Sequence, residues 1–530
     1  MTTTTRDTTN TTTNAMTNRS INATMTDATT CSASRFGGRW PTGICILVGL
    51  GLLIGPVAAC DDSGGHHEST DGGQQDGTIS DGRLQDGTAQ DALPDGARRD
   101  GNTDGSSTCT GLLVETMDSP STIAAPQGSM PSPGQPFVID QTNVTVTRIS
   151  DVGDPENEAD SYTNGYSRWS PANRTGQYVT AFGNNGTASI YRLSDRSVVT
   201  VLDVGEPNEL QWDMSGDPDT DTILYYRKGA VLYSVDVLGG TPEVVHDFSD
   251  EYPGAQDVIN GVEGAPSNDM RYWAFQVCGG MTSGGQCTGI MDVIVYDKQT
   301  DQIAGQLSSL NTPFPTPNFV DMSPSGSKIV VGTCKESSGT QAPWNGPYAW
   351  SRDFSDFVRL STNCNHSGWA WGRSGEEYYV GFDPCGANNE EPTRTCDHLT
   401  AVDVNDQQGW QNRIGILAQE DIGWGIGFHF GRIYRSSVPG WIFASTYADS
   451  SDTWASNQLF FIEVVDEASG PRLWRIGPTL NIHQGYWSEA FASLDFSSTH
   501  VYWGANWNET GELELYQAAL CDGWWQALKR

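Results

Sequence analysis

From Tyr166 to the C-terminus the sequence resembles itself, with a period of roughly 43 to 62 residues. Each copy opens with a Trp or a small residue, then a Ser-Pro, Ser-Gly or Asn-Asp turn. A β-rich run follows, and then a second strand pair. RWSPANRTGQYVTAF with SIYRLSDRSVVTVLD is the first copy, and FVDMSPSGSKIVVGTC begins the fourth. Two hairpin halves per copy make a four-stranded unit, and such a unit cannot bury both of its faces alone. Seven copies packed side by side therefore predict an all-β fold, a single seven-bladed β-propeller over residues 109–530. The last copy, ASLDFSSTHVYWGAN with LELYQAAL, lacks a fourth strand before Cys521. The alternating segment Asn143–Ile149 has no partner of its own and is expected to complete that blade, closing the ring and removing two exposed edges.

The chain ahead of the repeats reads as an address and a tether. Residues 1–59 form a signal peptide region, with Met16 or Met25 as alternative starts. Arg35 and Arg39 precede the apolar run ICILVGLGLLIGPVAA, about 16 residues long and short for a membrane-spanning helix. Val57, Ala58 and Ala59 then meet Cys60, an order resembling the bacterial lipobox, whose cysteine thiol takes a diacylglycerol. A plain signal peptide or an anchor helix is the alternative. Residues 60–108 are Asp/Gly-rich with almost nothing to bury, and are expected to be a disordered acidic tether. Its Asp-Gly repeats lack the ligand order of known calcium loops. The predicted location is the cell envelope, lipid-anchored on the periplasmic or cell-surface face, with the membrane as one partner.

Charge and cysteines narrow the partners. The formal net charge is -36, which repels phosphate backbones and argues against nucleic acid as a ligand. The same field repels anionic polysaccharides at long range. Eight of the eleven cysteines lie in the repeat region: Cys109, Cys278, Cys287, Cys334, Cys364, Cys385, Cys396 and Cys521. In an exported domain an even count predicts disulfides. The expected pairs are Cys278–Cys287, Cys385–Cys396, Cys334–Cys364 and Cys109–Cys521. Free thiols or a metal site are the alternatives, and the lack of a CxxC pair argues against zinc.

Three histidines fall at equivalent places. His366 (CNHSGWAWG), His429 (GFHFGRIYR) and His483 (NIHQGYWSE) each come at the entry to an innermost strand, where loops converge on the channel mouth. Tyr166 and Arg168, Gln211, Glu263 and Asn318 hold matching places in other blades. DMSPSGSKIVV and VYDKQTDQIAG resemble the blades of TolB-type propellers. HSGWAWGRSGEEYYVGF, HFGRIYRSSVPGWIFASTY and YWSEAFASLDFSSTHVYWGANW resemble secreted propellers related to oligogalacturonate lyases. That resemblance implies a divalent metal at the mouth, held by His366, His429 and His483 with Gln484, which would acidify the proton beside a uronate carboxylate. The chain departs from the lyase pattern at Gly485, where the family carries a second histidine. Arg168, Arg432, Arg435, Glu489 and Trp487 are the candidate ligand-binding residues. Trp344, Trp350, Trp410, Trp424, Trp441 and Trp454 are candidate sugar-stacking platforms or packing residues.

No nucleophile elbow, P-loop or dinucleotide fingerprint occurs. Three readings follow. The first is a lipid-anchored exported propeller that binds a glycan or protein partner at the channel mouth. The second is a metal-dependent uronate lyase-like enzyme. The third is a periplasmic scaffold of TolB type.

Overall fold

The computed structural model describes residues 109–529 apart from 153–158, 205–208, 262, 283–284, 308–316, 334–345, 363–364, 384–396, 449–452 and 510. Cys60 and the tether lie outside the described residues, as do Cys334, Cys364, Cys385 and Cys396.

Seven antiparallel sheets follow one another along the chain, five of them with all their strands in sequence order. Blade one starts at Tyr162–Thr163, blade two at Gln211–Trp212, blade three at Asp257–Ile259 and blade four at Phe319–Met322. Blades five, six and seven start at Ser367–Trp371, Gly427–Phe430 and Ser493–Leu494. These first strands are the innermost ones, because they bond to each other across blades. Val320 N–H donates to the Asn260 carbonyl and Ile433 N–H to that of Trp369. Trp369 and Arg432 form an isolated parallel bridge. Such close approach needs glycine. A Cβ on Gly264 would lie 1.9 Å from the Val320 carbonyl oxygen, and one on Gly368 would lie 2.6 Å from Phe430 Cβ.

The Ser-Pro-Ser-Gly turn of blade four shows what the repeated turns do. Gly326 takes a φ of 72°, and its N–H donates to the Ser323 carbonyl. Ser325 and Ser327 then donate to the buried Glu377 carboxylate of blade five. This turn ties blade four to blade five. Between the sheets lie wholly buried indoles, among them Trp169, Trp212, Trp350, Trp369, Trp441, Trp474, Trp503 and Trp524. Burying faces of that size is the main favourable term in holding neighbouring blades together.

The ring closes as the unpaired segment requires: Val144–Arg148 joins Glu514–Ala519 as the fourth strand of blade seven. Two additions were not legible beforehand. Pro136–Ile139 adds a fifth strand to blade seven, and Val114–Thr116 adds a fifth to blade six against Arg472–Pro478. Cys109 is bonded to Cys521 across the closure, and Cys278 to Cys287 within the blade-three hairpin. Beyond Cys521, Trp524 packs its ring 4.5 Å from both Phe461 and Trp474, sealing blades six and seven.

Candidate functional site: the channel and its mouth

The inner strands bring a ring of charged side chains to the axis. Deepest is Asp321 of blade four, fully buried. One of its oxygens accepts from Arg168 Nη1 at 2.5 Å and from Trp369 Nε1 at 2.6 Å. The other accepts the Ala265 N–H at 2.8 Å and faces Arg432 Nη1 at 3.6 Å. Arg168 also reaches Glu263 at 3.1 Å and Ser367. Five blades thus meet on four buried charges. Arg168 and Arg432 are 0 % exposed at the side chain, so neither stands on the rim to meet a ligand. Both hold blades together, because a buried guanidinium needs a carboxylate beside it.

Above this centre sit the histidines. His366 Nδ1 lies 2.8 Å from Glu263 and 3.0 Å from the Tyr166 hydroxyl. His429 Nε2 lies 2.6 Å from one oxygen of Glu489, and His483 Nε2 lies 3.4 Å from the other. The His366 and His429 ring centroids are 4.4 Å apart, and Tyr447 lies between His429 and His483 at 5.1 and 5.6 Å. The three histidines therefore gather at one mouth, linked through two glutamates that the sequence placed in entry loops.

Their protonation differs sharply. Burial opposes a charge on His366, but Glu263 outweighs it and holds the imidazole above its ordinary value. Burial, then the neighbouring His366, drive His429 well below its ordinary value. His429 is therefore neutral. Since Glu489 accepts from Nε2, its Nδ1 carries a bare lone pair, buried with no hydrogen-bond partner.

Among the described residues no three His, Cys, Asp or Glu side chains converge on a point that could hold a metal. Glu263 and Glu489 already take up imidazole nitrogens, and Gln484 is exposed, with its backbone N–H bonded to Ser488.

The rim is aromatic. The entry loop of blade seven exposes Trp487 at 59 % and Tyr486 at 42 %, and that of blade six exposes Trp424 at 72 %. Tyr486 packs 5.1 Å from Phe491, which lies 4.4 Å from His429, so the rim is continuous with the histidine cluster. Of the other tryptophans considered as platforms, Trp350, Trp410, Trp441 and Trp454 are buried, and Trp344 lies outside the described residues. Arg435 is placed elsewhere: it follows the inner strand of blade six on the turn away from the entry loop, over the Trp525 ring. Tyr486 was not singled out from sequence, although its place beside Trp487 in an entry loop was the available signal. His246, His398 and His500 pair with Asp301, Glu467 and Asp495 outside the channel.

No family model and no curated protein matches the chain. Among solved structures it is similar to an oligogalacturonate lyase from Vibrio parahaemolyticus, with a TM-score of 0.48 and 12% identity, covering 73% of this chain and 96% of that one. It is also similar to an oligogalacturonate lyase in complex with manganese, with a TM-score of 0.47 and 14% identity, covering 74% of this chain and 97% of that one.

Proposed function

We propose that this propeller is an exported, lipid-anchored protein that binds a glycan at the channel mouth. The observation that carries this reading is the exposure of Trp424, Tyr486 and Trp487 in the entry loops of blades six and seven, with Tyr486 and Trp487 packed through Phe491 against the histidine cluster. Indole and phenol faces stack on the C–H surfaces of sugars, and a large ring left in water has a cost that a ligand removes. His366 and His483, 29 % and 18 % exposed at the side chain, lie beside the rim as hydrogen-bonding groups for hydroxyls. Glycan titrations followed by tryptophan fluorescence test it. Quenching that saturates, and is lost in Trp487→Ala, supports the reading; no response to a broad oligosaccharide panel removes it. For the anchor, Cys60→Ala is expected to leave the chain unprocessed or free of the membrane fraction. Normal fractionation with lipid still attached would refute that part.

A second reading, elimination on a uronate, is favoured by one observation: two imidazoles 4.4 Å apart are pushed to opposite sides of their ordinary value. His429 would be the base and His366 the acid. The burial of Arg168 and Arg432 counts against it, since a uronate carboxylate needs an accessible cation. Incubation with oligogalacturonate should yield an ultraviolet-absorbing unsaturated product if this second reading holds.

A further inference from the structure

If a glycan binds at this mouth, charge and ring chemistry together narrow its class. Residues 109–530 carry 52 Asp and Glu against 22 Lys and Arg. A field of that sign draws cations toward a cleft and repels anions. Arg168 and Arg432 are fully buried at the centre on Asp321 and Glu263, and at the mouth His366 is already paired with Glu263. What the surface offers instead is aromatic faces beside carboxylates. Trp424 stands 72 % exposed just beyond the short helix Gln419–Ile422, in which Glu420 and Asp421 are also exposed. An indole face is electron-rich and attracts a cation above it, and a neighbouring carboxylate strengthens that attraction. Further in, Glu263 and Glu489 stand behind His366, His429 and His483, and His429 is neutral.

Resting on the glycan-binding reading, we infer that the preferred ligand is a sugar chain bearing free amino groups, stacked on the rim with its ammonium groups facing Glu420 and Asp421. A uronate chain would meet repulsion at long range, and the described guanidinium groups of the channel, Arg168 and Arg432, are buried away from it. A neutral chain would keep the stacking and lose the charge term.

The test uses the full-length chain and three tetrasaccharides in parallel: a glucosamine tetramer, its N-acetylated counterpart and tetragalacturonate. Binding is read by tryptophan fluorescence at low and at physiological salt. The glucosamine tetramer should bind about tenfold tighter than the N-acetylated one at low salt, with the margin shrinking as charges are screened. The double variant Glu420→Gln, Asp421→Asn should remove most of that margin while leaving the N-acetylated tetramer unchanged; both side chains are exposed, so the fold is not at risk. Equal or tighter binding of the N-acetylated tetramer or tetragalacturonate overturns this inference and leaves glycan binding standing. A tetralysine peptide that binds as tightly as the glucosamine tetramer also overturns it, because charge alone would then be recognised. Failure of all three sugars to bind removes the reading on which it rests.

Discussion

The centre of the channel and its mouth use charged residues in opposite ways. At the centre, Arg168, Arg432, Asp321 and Glu263 are buried together and balance one another. At the mouth, His366 and His429 sit 4.4 Å apart with their protonation pushed in opposite directions, and part of their surroundings meets water. Both regions are built from inner-strand positions of different blades. The difference is depth. Closed on all sides, an ion pair serves only to fix the blades; near solvent and aromatic faces, similar groups are available to a ligand. Buried polar groups at equivalent repeat positions are thus not equivalent in role.

The largest effect expected from that contrast is at the centre. Asp321→Ala leaves two buried guanidinium groups without their carboxylate, and should cost about 3 to 5 kcal/mol, measured by denaturant unfolding. A loss below about 1 kcal/mol would mean that water reaches the centre and that the contrast is misplaced. Next comes the ring closure. Cys109→Ser opens a disulfide spanning 412 residues and should lower stability by about 2 to 4 kcal/mol, with blades six and seven the first to exchange amide hydrogens. At the mouth, Trp487→Ala should change stability by less than about 0.5 kcal/mol yet weaken glycan binding roughly tenfold. A large stability loss there would recast the rim as packing.

The smallest effect, and the sharpest, is titration. His366 is raised above 6.5, so its contribution to stability is present below the unfolded value and fades as pH rises through its folded value. His429 is lowered below 6.5, so its contribution is present above the unfolded value and is lost as pH falls. The two oppose each other, so the stability curve near pH 6.5 should be shallow while imidazole NMR shows two well-separated transitions. Glu263→Gln should remove the upward shift of His366. Superimposed transitions in the unmodified protein would break the assignment.

Much of this was legible in order along the chain. The repeat period and the Ser-Pro-x-Gly turns marked seven sheets because a turn and an alternating strand are local properties. Asn143–Ile149 was recognisable as the closing strand because it alternated and had nothing beside it. Pro136–Ile139 and Val114–Thr116 were not, because short edge strands carry almost no pattern and are set by the sheet they join. Arg168 and Arg432 were placed on the rim from sequence for want of any signal of depth: a guanidinium reads the same at either end of an inner strand. Trp424 could not be told from Trp441 or Trp454, since an indole packs as readily as it protrudes.

What the sequence by itself determined is the architecture: repeated hairpin pairs that cannot bury their faces alone must stack, and seven of them close a ring. It also determined which histidines could meet, since equivalent positions of a repeat fall on one circle. Only the tertiary structure decided what those histidines are bonded to. Glu263 comes from blade three and Glu489 from the loop of blade seven, and which ring each carboxylate meets depends on the spacing between inner strands from different parts of the chain. That spacing, set by Gly264 and Gly368 where backbones touch, also fixes which charges are sealed from water and which remain at the mouth.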